Sequence, residues 1–253
     1  MGPMYKDRAM GPGGAGLRMT PAVKWLLIIN CAVFLLELIL GRLFGDSGVK
    51  FLFDHLALSY DGVLDEGEVW QLGTYMFLHD PTEISHILWN MLMLWMFGAQ
   101  LESFWGARGF LRFYLLGGLG AALTVLLVGW VMPSHRAPTL GASGALYALL
   151  IAFGFNFPNN MIYFFGLFPI KGKHLVMIFI ALGVVQSLTL SASNVSMSAH
   201  FGGMISGFLL VTGAWKPSKF WSWIRMAWLK FRYNRLKKRF RAVDNSKHDG
   251  YLN

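Results

Sequence analysis

Six apolar runs dominate this chain, at roughly 22–44, 84–101, 110–132, 143–157, 174–190 and 198–215, each set off by polar, glycine-rich or proline-rich residues. Most approach the ~20 residues that a helix needs to cross a bilayer. At 253 residues there is length for one or two soluble domains, but 55% hydrophobic against 14% charged residues, with 10 Trp and 21 Phe, excludes that reading. The pattern predicts an all-α membrane protein, a bundle of six transmembrane helices. The single cysteine, Cys31, lies inside the first run, so there is no disulfide framework. The fourth run is short: from Ser143 to Phe157, helical residues reach only ~22 Å. A helix that starts below the membrane surface needs its entry loop held in protein or water. That places Ser143 at membrane depth, beside a wet cavity.

The net charge of +9 follows topology. With six spans both termini share one side, which collects Lys6, Arg8, Arg18, Lys24, Arg108, Arg112, Lys171, Lys173 and every basic residue after Trp215. The opposite loops hold only Lys50 and Arg136, with Arg42 at the end of the first run. Basic loops stay cytoplasmic, so both termini are expected in the cytoplasm. Residues 1–20, with Gly11-Pro12-Gly13-Gly14, read as a flexible tail without the apolar core of a signal peptide. The segment from Gly45 to Glu83 mixes acids with aromatics and reads as a structured loop partly embedded at the interface. Residues 21–215 then form the membrane domain and 216–253 a basic, aromatic tail. In that tail Phe220, Ile224, Ala227 and Phe231 recur at helical spacing among arginines and lysines, which predicts an interfacial helix on anionic lipid; nucleic acid is not expected.

Polar groups inside the runs carry the chemistry. Ser143 sits in Gly141-Ala142-Ser143-Gly144 at the start of the fourth helix, where backbone N–H groups lack intrahelical partners and can hold a developing oxyanion. Gly141 permits a tight turn and Gly144 a close helix neighbour. The soluble nucleophile elbow would have a further glycine where Ala145 stands, and a preceding strand. A glycine–serine packing site is therefore the competing explanation. In the sixth run His200, Gly203 and Gly207 share one helix face. Packing Gly203 and Gly207 against the stripe Gly144, Ala148 and Ala152 brings His200 to Ser143, with Tyr147 beside the imidazole. A histidine within reach of a serine activates its hydroxyl. In the second run His86 and Asn90 lie one turn apart and can both donate to an oxygen; the alternative is an interhelical hydrogen-bond pair. A metal site would need further ligands, and His79 is the one conceivable third, with no H-E-x-x-H arrangement to support it.

Together, His86-x-x-x-Asn90, Gly141-x-Ser143-Gly144 with Tyr147, and Ala199-His200-x-x-Gly203-x-x-x-Gly207 resemble the rhomboid intramembrane serine proteases, in motif order and in span. The resemblance covers roughly Ala22 to Trp215. It implies a six-helix bundle with a water-filled cavity opening to the extracytoplasmic side and a Ser143–His200 dyad without a third acid. It also implies an oxyanion site of His86, Asn90 and the serine backbone N–H, with Tyr147 stacked on the histidine. No metal or organic cofactor is implied. Partners would be transmembrane substrates with small residues at the cleavage point, and the location a bacterial-type cytoplasmic membrane. The family's first loop commonly carries Trp-Arg where this chain has Trp70-Gln71, and Gln lacks the charged bidentate contacts of Arg. Glu37 has no evident partner. Two other functions compete: a rhomboid-like protein that binds transmembrane clients without cutting, and a transporter. A transporter would show similarity between halves and charged midplane residues.

Overall fold

The computed structural model describes residues 19–164, 168–189, 194–214, 221–222, 225–226, 228–233 and 235. The chain forms two compact units, Met1–Phe208 and Leu209–Asn253. Residues 1–18 of the expected N-terminal tail, and most of the expected lipid-binding tail, lie outside the described residues. Those described between 221 and 235 are helical and exposed, and Arg232 and Arg235 lie over the rings of Trp228 and Phe231.

The first unit is mostly helical. α1 spans Pro21–Phe44, and its start is fixed from afar. Proline at the first helical position surrenders no hydrogen bond, and Glu102 accepts from the backbone N–H groups of Ala22 and Val23, both at 2.9 Å, and from the Thr20 hydroxyl at 2.5 Å. A carboxylate among the unpaired donors of a helix start is favourably placed. Gly45, at φ +61°, then turns the chain into α2, Asp46–Leu56.

Two short helices follow, α3 (Tyr60–Leu64) and α4 (Gln71–Thr74), then a single 3₁₀ turn at Tyr75–Phe77. Gln71 is the hub of this loop and is fully buried. Its carbonyl accepts from the Ser59 N–H (2.9 Å) and hydroxyl (3.1 Å), and its amide donates to Glu68 (2.5 Å) and the Asp54 carbonyl (3.3 Å). The neutral amide thus joins four groups around it. The Trp70 indole and Thr74 hydroxyl donate to the carbonyls of His55 and Leu56.

α5 (Ile84–Met93), a π-helical turn at Leu94–Gly98, and α6 (Ala99–Val131) form one stretch, broken where Gly106 adopts φ +74°. Sequence pattern ended the second run at Leu101 and began the third at Phe110. The helix instead continues on both sides of Gly106, and Glu102, just past the end of that run, is buried against the start of α1. α7 spans Ser143–Asn156, α8 Gly172–Thr189 and α9 Asn194–Thr212. Between α7 and α8 an antiparallel hairpin pairs β1 (Met161–Phe164) with β2 (Phe168–Lys171), Met161 opposite Lys171 and Phe164 opposite Phe168. This small sheet departs from the all-α expectation. After Asn156 the helix cannot continue through Pro158, and aromatic and β-branched residues suit a strand.

Two helical stretches, Pro21–Phe44 and Ile84–Val131, are long and apolar enough to cross a membrane; Ser143–Asn156, Gly172–Leu182 and Met197–Thr212 are shorter apolar helices. The core sits where α6 and α7 meet, lined by Tyr114, Ala121, Ala122, Ala145, Leu149 and Phe153.

Candidate active site

The segment entering α7 is clamped by the first loop. Leu58 and Thr139 exchange both backbone hydrogen bonds as an isolated antiparallel bridge, at 2.9 and 2.8 Å. Gly141 N–H then donates to the Tyr75 carbonyl at 2.9 Å, and the Tyr75 hydroxyl donates to the Gly118 carbonyl in α6 at 2.8 Å. Gly141 adopts φ +115°, which L side chains rarely occupy. It also has no room for one: a Cβ there would lie 2.9 Å from His86 Nε2 and 3.7 Å from Asn90 Nδ2. Two nitrogen groups from α5 therefore border the space beside Gly141, two residues before Ser143.

Ser143 begins α7, so the N–H groups of its first turn have no carbonyl one turn back to bond. His200 Nε2 stands 2.9 Å from Ser143 Oγ, and both residues are half-buried. The Tyr147 ring lies against the imidazole, centroids 4.4 Å apart at 38°. No described group is within hydrogen-bond reach of His200 Nδ1.

Glycines let the two helices meet here. A Cβ on Gly203 would collide with the Gly144 carbonyl; one on Gly207 would stand 2.7 Å from the Ala148 backbone, and one on Gly144 2.7 Å from Ala121 Cβ. Backbone thus packs on backbone at this seam.

On the other side Asn90, nearly fully buried, donates from Nδ2 to His79 Nε2 at 3.0 Å, and the rings of His79 and His86 lie 5.2 Å apart. Burial, reinforced by neighbouring His86 and opposed by the Phe77 carbonyl, pushes His79 down to about 4. The ring is neutral near pH 7 and keeps a lone pair for the Asn90 amide. The His79 backbone N–H donates in turn to Glu37 of α1. In the sequence alone His79 reads only as a conceivable metal ligand and Glu37 has no evident partner; the signal present is an ionisable residue inside an apolar run. Among the described residues, no cluster of three or more His, Cys, Asp or Glu side chains is placed to hold a metal ion.

Chemically, the arrangement offers a hydroxyl paired with an imidazole, and hydrogen-bond donors aimed at a neighbouring space, the parts an acyl transfer requires. A family model described as Rhomboid domain matches residues 66–217. The chain is 29% identical over 201 residues to RHOMBOID-like protein 12, mitochondrial, of Arabidopsis thaliana, covering 74% of this chain and 56% of that protein. It is 32% identical over 157 residues to rhomboid protease GluP of Bacillus subtilis (strain 168), covering 62% of this chain and 28% of the relative. It is 31% identical over 165 residues to rhomboid protein 1, mitochondrial, of Saccharomyces cerevisiae, covering 63% and 45%. The chain thus spans about half or less of the length of these relatives.

Proposed function

This chain belongs to the rhomboid family, and on that premise we propose that it is an intramembrane serine endopeptidase that cleaves transmembrane segments of other membrane proteins. The membrane-integral domain comprises residues 21–215, crossing six times: α1, the two halves of the α5–α6 stretch on either side of Gly106, α7, α8 and α9. Both termini face the cytoplasm of a bacterial-type inner membrane, and a water-filled cavity opens on the opposite side. The basic tail rests on anionic lipid.

In the reaction, Ser143 Oγ attacks the scissile carbonyl carbon while His200 Nε2 takes its proton. The carbonyl oxygen becomes an oxyanion beside Gly141, where His86 Nε2–H, an Asn90 Nδ2–H and the Ser143 backbone N–H donate to it. Collapse breaks the C–N bond, and His200 delivers its proton to the departing amine. Water then attacks the acyl carbon as His200 takes its proton, the ester C–O bond to Ser143 breaks, and His200 returns the proton to Ser143 Oγ. Tyr147 keeps the imidazole in plane with the hydroxyl, a task that falls to a carboxylate in a triad. A peptide bond in an intact helix is shielded by its own turn, so substrates need a locally unstable helix with small residues at the cleavage point.

The observation that carries this reading is the 2.9 Å contact between Ser143 Oγ and His200 Nε2 beside a space bordered by His86 and Asn90. The test uses purified full chain in detergent with a fluorogenic transmembrane-helix substrate. Cleavage by wild type that disappears in folded Ser143→Ala and His200→Ala is expected. Equal cleavage by all three proteins overturns the dyad, and substrate binding without cleavage by wild type favours a client-binding protein.

A further inference from the structure

Glu37 is an ionisable side chain in the middle of an apolar helix, and it is completely buried. Such groups are costly within a membrane and are retained where they serve a purpose. Among the described residues its two carboxyl oxygens face one donor, the His79 backbone N–H, at 3.1 and 3.4 Å. His79 is also fully buried, and its ring accepts from Asn90. One line of polar groups therefore runs from α1, through the loop before α5, to the carboxamide of Asn90.

A carboxamide has two N–H donors on nitrogen and a carbonyl of nearly the same size. Rotated by half a turn, it would present its oxygen where a negative charge is to develop. The His79 lone pair selects one orientation by binding one N–H, which leaves the second for the space beside Gly141. That selection works only while the His79 ring stays within reach. The backbone N–H of His79 lies outside any helix or strand ladder, so an acceptor is needed to hold this part of the loop. Glu37 is that acceptor.

We propose that Glu37 is a positioning residue for the oxyanion site, acting through His79 to fix the Asn90 carboxamide with its N–H toward the reacting carbonyl. The inference rests on the peptidase reading above and adds to it a residue from the first helix, more than forty positions before the nearest oxyanion donor. Glu37 does not touch the substrate.

A double-mutant cycle tests this in the purified full chain with the fluorogenic transmembrane substrate, with Ser143→Ala as the blank. Asn90→Ala removes an oxyanion donor and lowers kcat by ~10²-fold. Glu37→Leu removes the acceptor and lets the amide drift, lowering kcat about tenfold with KM unchanged. Glu37→Gln keeps an acceptor and returns kcat close to wild type. In the Asn90→Ala background, Glu37→Leu costs nothing further, because the group it positions is gone. His79→Phe, which keeps ring volume but removes the lone pair, behaves as Glu37→Leu does and serves in its place where that variant does not fold. Equal losses in both backgrounds, or wild-type kcat in a folded Glu37→Leu protein, overturn the proposal and leave the peptidase reading intact. Absence of any Ser143-dependent cleavage in wild type overturns both.

Discussion

The two sides of the site are built from opposite materials. The α7–α9 seam is made of glycine and alanine: backbone lies against backbone, and Ser143 and His200 meet because nothing larger separates the helices. The α1–loop–α5 side is made of long polar side chains, Glu37, His79 and Asn90 in one line and Gln71 with Ser59 and Glu68 in another. A seam of small residues is rigid because it has no rotamers to change, so damage there comes from adding atoms. A polar line holds its geometry by pairing donors with acceptors, so damage there comes from removing one. The two sides should fail in different ways.

The largest effect is expected from Gly203→Val. Its added atoms run into the Gly144 carbonyl, which cannot yield without moving α7. Overpacking of this kind costs ~1–3 kcal/mol or more, and moving a nucleophile by ~1 Å from its base costs ~10²-fold in rate. Cleavage and the detergent unfolding midpoint are expected to fall together; wild-type values of both would break the comparison. Gly141→Ala comes next. It meets the positive φ and the crowding by His86 at once, with a strain of ~1–3 kcal/mol and a loss of cleavage of ~10²-fold from the disturbed oxyanion space. Unlike the Gly203 variant, it should retain the Ser143–His200 contact, which fluorophosphonate labelling rates can follow.

Gln71→Ala removes atoms from the polar side. It strips the Ser59 N–H of its acceptor and Glu68 of a donor, at ~1–3 kcal/mol for buried groups left unpaired. The unfolding midpoint drops while kcat stays near wild type, since the loop hub lies outside the line to Asn90; a collapse of kcat instead would merge the two polar lines into one. The smallest effect is a pH dependence. The Glu68 carboxylate, 2.8 Å from His55 Nδ1, raises that imidazole above its ordinary 6.5. A base raised in the folded protein stabilises it fully below 6.5, and the benefit is lost as pH climbs through the folded value. His55 is exposed, so a slight fall in the unfolding midpoint above pH 6.5 is expected, and His55→Asn should flatten it.

The same contrast explains what could be read from sequence. The helical character of the chain and the approach of α9 to α7 depend on periodicities of three and four residues, which are local properties of each run. His200, Gly203 and Gly207 declare a face without reference to anything distant. No periodicity relates Glu37 to His79, forty-two positions away, or Ser59 to Gln71, so these pairings were visible only as unexplained polar residues. At Trp70-Gln71 the sequence shows only an amide where the family commonly has an arginine; its burial and its four partners come from residues 3 to 17 positions away. The packing of Glu102 was hidden for the same reason. Its partners at the start of α1 are about eighty residues away.

Peptidase activity in this chain requires Ser143 to be a nucleophile activated by His200. Intact-mass analysis of the purified chain treated with a fluorophosphonate tests it most directly, because the reagent forms a covalent bond only with an activated hydroxyl. One adduct is expected, on Ser143, absent in Ser143→Ala and formed far more slowly in His200→Ala. A folded wild-type protein that gains no adduct, or gains it on another residue, contradicts it.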